Sequence, residues 1–94
     1  MMGRTQEAEH FFSTAVTLDS NSLDARQNYG RLLLQSGKIE EAKRQIEAAL
    51  RIQPHNNELL YDLARIETHL GKVGDAIALL KRARELAPDD TDVR

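Results

Sequence analysis

The chain has 94 residues, with 13 Lys and Arg against 15 Asp and Glu, a net charge of −2, and only 4% aromatic residues within a 40% hydrophobic composition. Balanced charge argues against nucleic acid as a partner, since phosphate binding needs a basic face, and the absence of cysteine excludes disulfide frameworks, thiolate zinc sites and thiol nucleophiles. No stretch approaches the ~18 apolar residues of a membrane span and no apolar core follows Met1-Met2-Gly3-Arg4-Thr5, so a soluble domain with a small core of Leu, Ile and Ala is expected.

In chain order, the first predicted element runs over about 4–20 and carries Ala8, Phe12 and Ala15 on one face. A second is expected over Ser22 to Ser36, with Ser22 as its cap and Gly37 free to take the left-handed conformation that ends it. The third, from Gly37 to Pro54, repeats the first face as Ala42, Ile46 and Ala49. The fourth, over Asn57 to Leu70, shows Leu59, Leu63, Ile66 and Leu70 advancing by helical steps, with Asn56 or Asn57 as cap and Gly71 as terminator. The fifth, from Gly71 to Pro88, writes the face again as Ala76, Leu80 and Ala83.

Gly37-Lys38 and Gly71-Lys72 lie 34 residues apart, as do Pro54 and Pro88. A repeat of this length predicts a strip of stacked helix pairs in which each pair buries its apolar face against its neighbours. The small-large-small faces at i, i+4 and i+7 let antiparallel partners approach at the alanines. The expected architecture is therefore all-α, a solenoid of about five helices. It comprises the second helix of a truncated repeat at 4–20, full repeats at 23–56 and 57–90, and a stub at 91–94.

This pattern resembles the tetratricopeptide repeat. Tyr29-Gly30, Leu33, Ala42, Ile46 and Pro54 stand at its Leu-Gly, Tyr, Ala, Phe and Pro places, and Leu60, Leu63-Ala64, Ala76, Leu80 and Pro88 do so one unit later. Arg26 at the Trp place and Glu67 at a usually apolar place are departures. The resemblance implies a right-handed superhelix whose concave surface is lined by the first helix of each pair. It also implies a non-catalytic adaptor that binds a protein or peptide there.

On that implied surface the candidates are Asp24, Gln27, Asn28, Arg31, Leu34 and Gln35 on the first full pair. On the next pair they are Glu58, Tyr61, Asp62, Arg65, Thr68 and His69. The interval sets Arg31 beside Arg65 and aligns Asp24, Glu58 and Asp92, a basic row facing an acidic one. The arginines would grip carboxylates or carbonyls of a peptide while Tyr61 and Leu34 supply apolar contact. The bland alternative is a solvated face, with Asp62 and Arg65 pairing within one helix. The carboxylate clamp of some family members is not predicted, because Gln27 and Arg31 stand where its Lys and Asn would be.

Nothing in the spacing points to catalysis, a cofactor or a metal. His10, His55 and His69 fall in three elements, and Gly71-Lys72 lacks the loop of a phosphate site. Glu40 with Arg44, Glu47 with Arg51 and Lys81 with Glu85 are i, i+4 pairs expected on a solvated convex face. Phe11 lies on the helix without a partner and is a candidate edge for self-association into a homo-oligomer, or a surface left bare by truncation. Two other readings stand beside the adaptor: a module that self-associates through uncapped terminal helices, and a regulatory segment of a larger enzyme such as a transferase. The compartment is left open, with the cytoplasm as the working expectation.

Overall fold

The computed structural model describes residues 2–86 and consists there of five α-helices. These are α1 (Met2–Leu18), α2 (Leu23–Gln35), α3 (Ile39–Ile52), α4 (Asn57–His69) and α5 (Val73–Leu86). Pro88, Asp92 and the stub at 91–94 lie outside the described residues. Each helix begins and ends for local reasons. The Ser22 hydroxyl accepts from the Ala25 N–H, and the Asn56 side-chain oxygen accepts from the Leu59 N–H, so Asn56 rather than Asn57 is the cap. No side-chain cap bond starts α3, but Glu40 and Glu41 in its first turn complement the positive end of the helix.

The stops of α2 and α4 are copies of each other. Gly37 and Gly71 have φ of +84° and +81°, and the following N–H reaches back to the helix in both cases: Lys38 N to Leu33 O at 2.9 Å and Lys72 N to Glu67 O at 2.8 Å. This is the Schellman geometry, which satisfies terminal carbonyls and reverses the chain tightly enough for the next helix to pack antiparallel.

Packing is sequential: α2 against α3, α4 against α5, α1 against α2, α3 against α4, and α2 alongside α4. The radius of gyration is 14.0 Å, above the about 12 Å of a compact chain of this length. The molecule is accordingly a strip. Its core lies around α2, α3 and α4, where Leu33, Ala42, Ile46, Ala49 and Leu59 are fully buried and Leu63 and Ile66 nearly so. At Gly30 the backbone itself approaches the neighbouring helix closely: a Cβ added there would stand 2.7 Å from Ile46 Cδ1.

Three copies of one helical face meet different environments. Ile46 is fully buried, Phe12 is half-buried and Leu80 is 41% exposed, because of the three helices that carry this face only α3 packs against two described helices. Leu80 thus does not fill a gap between helices as the repeat pattern suggests. The departure at Arg26 is also explained. Its guanidinium donates to Gln45 Oε1 of α3 at 3.0 Å and to Ser20 O of the α1–α2 turn at 3.1 Å, so hydrogen bonds to α3 and to that turn stand where the pattern has an aromatic ring.

Candidate functional site

The candidate residues lie on α2 and α4, which run side by side, and the structure divides them into buried and open groups. Gln27, Leu34 and Asp62 are buried. Asp24, Asn28, Arg31 and Gln35 on α2, and Glu58, Tyr61, Arg65, Thr68 and His69 on α4, are exposed. Leu34 belongs to the hydrophobic core, packed among Leu33, Ala42, Ile46 and their neighbours, so the face loses the apolar contact expected of it. Tyr61, 48% exposed, remains as the large ring on this face. Asp92, the expected third member of the acidic row, lies outside the described residues.

The buried polar pair forms the centre of a clasp between the two helices. Gln27 Nε2 donates to Asp62 Oδ2 at 3.1 Å and to Glu58 Oε1 at 3.2 Å, while Arg31 Nε donates to the same Asp62 oxygen at 3.1 Å. Arg31 also lies 3.7 Å from Glu58. A carboxylate taken out of water needs such donors, and Asp62, whose side chain is only 7% exposed, has them from the neighbouring repeat. The pairing of Asp62 with Arg65 within α4 is present but long, at 3.9 Å.

The two arginines of the expected basic row are therefore not equivalent. Arg31 is engaged by the chain's own carboxylates, whereas the Arg65 side chain is 62% exposed and holds one distant contact. The Thr68 hydroxyl is spent on the Ala64 carbonyl at 2.9 Å. What the face offers to an approaching molecule is Asp24 and Glu58 on the first turns, then Tyr61, then Arg65 and His69, a gradient from negative to positive along the helices.

Two further ion pairs tie the strip together and were not anticipated. Lys43 Nζ of α3 lies 3.1 Å from Glu67 Oε2 of α4, with side-chain exposures of 20% and 8%. This accounts for an acid at an apolar register position: the preceding repeat supplies its counter-ion, although Glu67 Oε1 has no hydrogen-bond partner. Contact with Glu67 raises the Lys43 ammonium above its ordinary pKa. Lys38 Nζ lies 2.7 Å from Glu9 Oε2 and is raised chiefly by that hydrogen bond. Tyr29 nearby is raised by burial first, then by the charges of Glu9 and Glu41. The sequence signal for both clasps was opposite charge on helices of successive repeats, 31 residues apart for Arg31 with Asp62 and 24 for Lys43 with Glu67.

The i, i+4 pairs expected on the second helices, Glu40 with Arg44, Glu47 with Arg51 and Lys81 with Glu85, are not at ion-pair distance among the described residues. No group of three or more His, Cys, Asp or Glu able to hold a metal lies among the described residues. No helix there is long and apolar enough to cross a membrane.

A strip of antiparallel helix pairs with Schellman stops at a 34-residue interval defines a helical-repeat interaction scaffold. Two family models, each described as tetratricopeptide repeat, match residues 28–91 and 1–52, and the chain belongs to that family. Human tetratricopeptide repeat protein 8 is 24% identical over 93 residues, which is 99% of this chain and 17% of that protein. Among solved structures, YrrB, a TPR protein with an unusual peptide-binding site, superposes with a TM-score of 0.86 at 23% identity, covering 96% of this chain and 46% of that one. MamA superposes at 0.85 and 20% identity, covering 97% and 53%. The chain thus spans less than a fifth of the human relative and about half of these structures. A fold of this family is in general a protein-protein interaction scaffold rather than a catalyst.

Proposed function

We propose that the chain is a non-catalytic scaffold segment that holds a peptide or protein partner along the joint face of α2 and α4. The observation that carries this reading is the clasp around Asp62, which fixes the spacing of the two helices and makes their exposed rows one preorganised surface. A fixed surface reduces the ordering cost of binding. The polarity of the rows matches a peptide with a basic residue toward Asp24 and Glu58, an apolar or aromatic side chain on Tyr61, and a carboxylate at Arg65. YrrB, whose fold is similar, is a TPR protein with a peptide-binding site, and peptide binding is extended to this chain as part of the proposal.

The test is selection of peptides from a random displayed library on the immobilised chain, followed by titration of a selected peptide into isotopically labelled protein. Amide shifts should concentrate at Asn28, Tyr61, Arg65 and His69, and Tyr61→Ala with Arg65→Glu should weaken binding at least tenfold. Shifts confined to α3 and α5, or an affinity indifferent to both substitutions, would reject the groove.

A further inference from the structure

Phe11 on α1 and Leu80 on α5 are exposed where the described helices stop, but a cleft of about 440 Å³ lies within the strip. Ser20 and Asn21 of the α1–α2 turn, Arg26 of α2, and Ala48, Arg51 and Ile52 of α3 line it. Thirty-four residues on, the same places hold Pro54, His55, Leu60, Arg82, Glu85 and Leu86, all of them described, so the next repeat serves as an internal comparison. There Arg82 Nη2 of α5 reaches across to Pro54 O at 3.3 Å. In the first repeat the corresponding carbonyl, Ser20 O, is taken by Arg26 Nε from α2, and Ala48 stands at the place of Arg82. The short alanine leaves open the space that an arginine crosses one repeat later.

The walls of this space are cationic. Arg51 is exposed and has no anionic partner among the described residues, since Glu47, one turn before it, is not at ion-pair distance. Arg26 spends Nε on Ser20 O and Nη1 on Gln45 Oε1, while its Nη2 donates to no described residue. A basic residue in the last turn of a helix complements the helix dipole, but α5 has Glu85 at the place of Arg51, so the repeat does not require a cation there. No lining residue is a carboxylate, and Asp19 beside the turn accepts from Asn21 N at 3.2 Å.

We propose that this cleft binds a carboxylate side chain of an acidic partner segment. Arg26 Nη2 and the Arg51 guanidinium are the charged donors, the Asn21 amide stands beside them, and Ala48 and Ile52 offer apolar contact to the neighbouring residue of the partner. A carboxylate fits better than a phosphate. Backbone N–H groups of the kind that cradle phosphate are already spent at this turn: Asn21 N on the Asp19 side chain, Ser22 N on Asp19 O at 3.1 Å, and Ala25 N on Ser22 Oγ at 3.2 Å. The charge of Asp19 also opposes a dianion more than a monoanion. The site is separate from the joint face of α2 and α4, because Arg26 turns toward Gln45 of α3 whereas Gln27 and Arg31 turn toward Asp62 of α4.

The experiment titrates a capped peptide, with one glutamate between two leucines, into the isotopically labelled full chain at low salt. Shifts should concentrate at Asn21, Ala48 and the side-chain Nε–H groups of Arg26 and Arg51. The same peptide with glutamine for the glutamate should bind at least tenfold more weakly, and a phosphoserine version no more tightly than the glutamate one. Arg51→Glu, at an exposed position, should lower affinity at least tenfold, while Lys81→Glu, the same charge change outside the cleft, should alter it less than twofold. Ala48→Arg separates a site from general attraction: it adds a cation but fills the cleft as Arg82 does one repeat later, so binding should fall at least tenfold with helicity by circular dichroism unchanged. Unchanged or tighter binding to a folded Ala48→Arg chain, equal losses from Lys81→Glu and Arg51→Glu, shifts centred on Arg65, or preference for phosphoserine overturns the proposal.

Discussion

Arg31 of α2 and Asp62 of α4 are joined across the repeat boundary by a 3.1 Å hydrogen bond in which Arg31 Nε donates to Oδ2, while Arg65, the same residue type one repeat on, stands open to solvent. Reversal of the two arginines should therefore have opposite kinds of effect. Arg31→Glu would put a carboxylate against the buried Asp62 and should cost about 2 kcal/mol or more of folding stability. Arg65→Glu should change stability by less than about 0.5 kcal/mol, as exposed positions do. Urea unfolding of the two variants measures the difference, and equal midpoints would contradict the clasp.

The Lys43–Glu67 pair makes a second, separable prediction. Lys43→Met leaves the buried Glu67 carboxylate without its counter-ion and should destabilise the fold by about 1–3 kcal/mol. Glu67→Leu added to it returns an apolar side chain to an apolar place and should recover most of the loss. A double-mutant cycle then yields a coupling energy above about 0.5 kcal/mol, the level separating touching from independent sites.

The same pair has a pH signature at the alkaline end. The Lys43 pKa in the folded chain is raised above the ordinary 10.5 by Glu67. Its stabilisation is fully present below the unfolded value and is lost as pH rises through the raised folded value. Lys38 and Tyr29 are raised too and act in the same direction, so the wild-type slope alone does not isolate Lys43. The difference between wild type and Lys43→Met does: their urea midpoints should converge between about pH 10 and 12. A constant gap across that range would show that the ammonium charge is not what stabilises the boundary.

These clasps also mark where the sequence was legible and where it was not. The 34-residue interval, the glycine stops and the alanine faces are local, each set by turn chemistry or helical spacing, and so could be read residue by residue. The placement of Leu34, Gln27 and Asp62 could not. On a helix touched by α1, α3 and α4, the buried arc is wider than the single stripe that periodicity reveals, and it takes in Leu34 and Gln27. Leu80 erred in the other direction: an apolar residue in good register remains 41% exposed where no described helix covers it. The site's exposed members, Asn28, Tyr61, Arg65 and His69, lie on the parts of α2 and α4 that packing leaves open.

Gly30 of α2 lies against Ile46 of α3 with no room for a Cβ, and the next repeat supplies a natural experiment on the contact. A Cβ on Gly30 would meet Ile46 Cδ1 at 2.7 Å and Cγ1 at 2.8 Å, nearer than real contacts allow. Both atoms belong to a side chain, so the helices need not separate, but Ile46 is fully buried and has little room to turn. Thirty-four residues on, the corresponding pair is Ala64 and Leu80, where the methyl group is already present and the opposing residue lacks a branch at Cβ. Gly30→Ala should gain about 1 kcal/mol from helix propensity and lose about 1–3 kcal/mol to overpacking, for a net destabilisation near 1 kcal/mol. That corresponds to a fall of about 4–8 °C in Tm for a domain of this size. Gly30→Ala with Ile46→Leu, which rebuilds the pairing of the following repeat, should restore the wild-type Tm or exceed it. Calorimetry on the three chains decides the matter: if Ile46→Leu deepens the loss instead, the crossing is governed by the α2 and α3 backbones rather than by this side-chain contact.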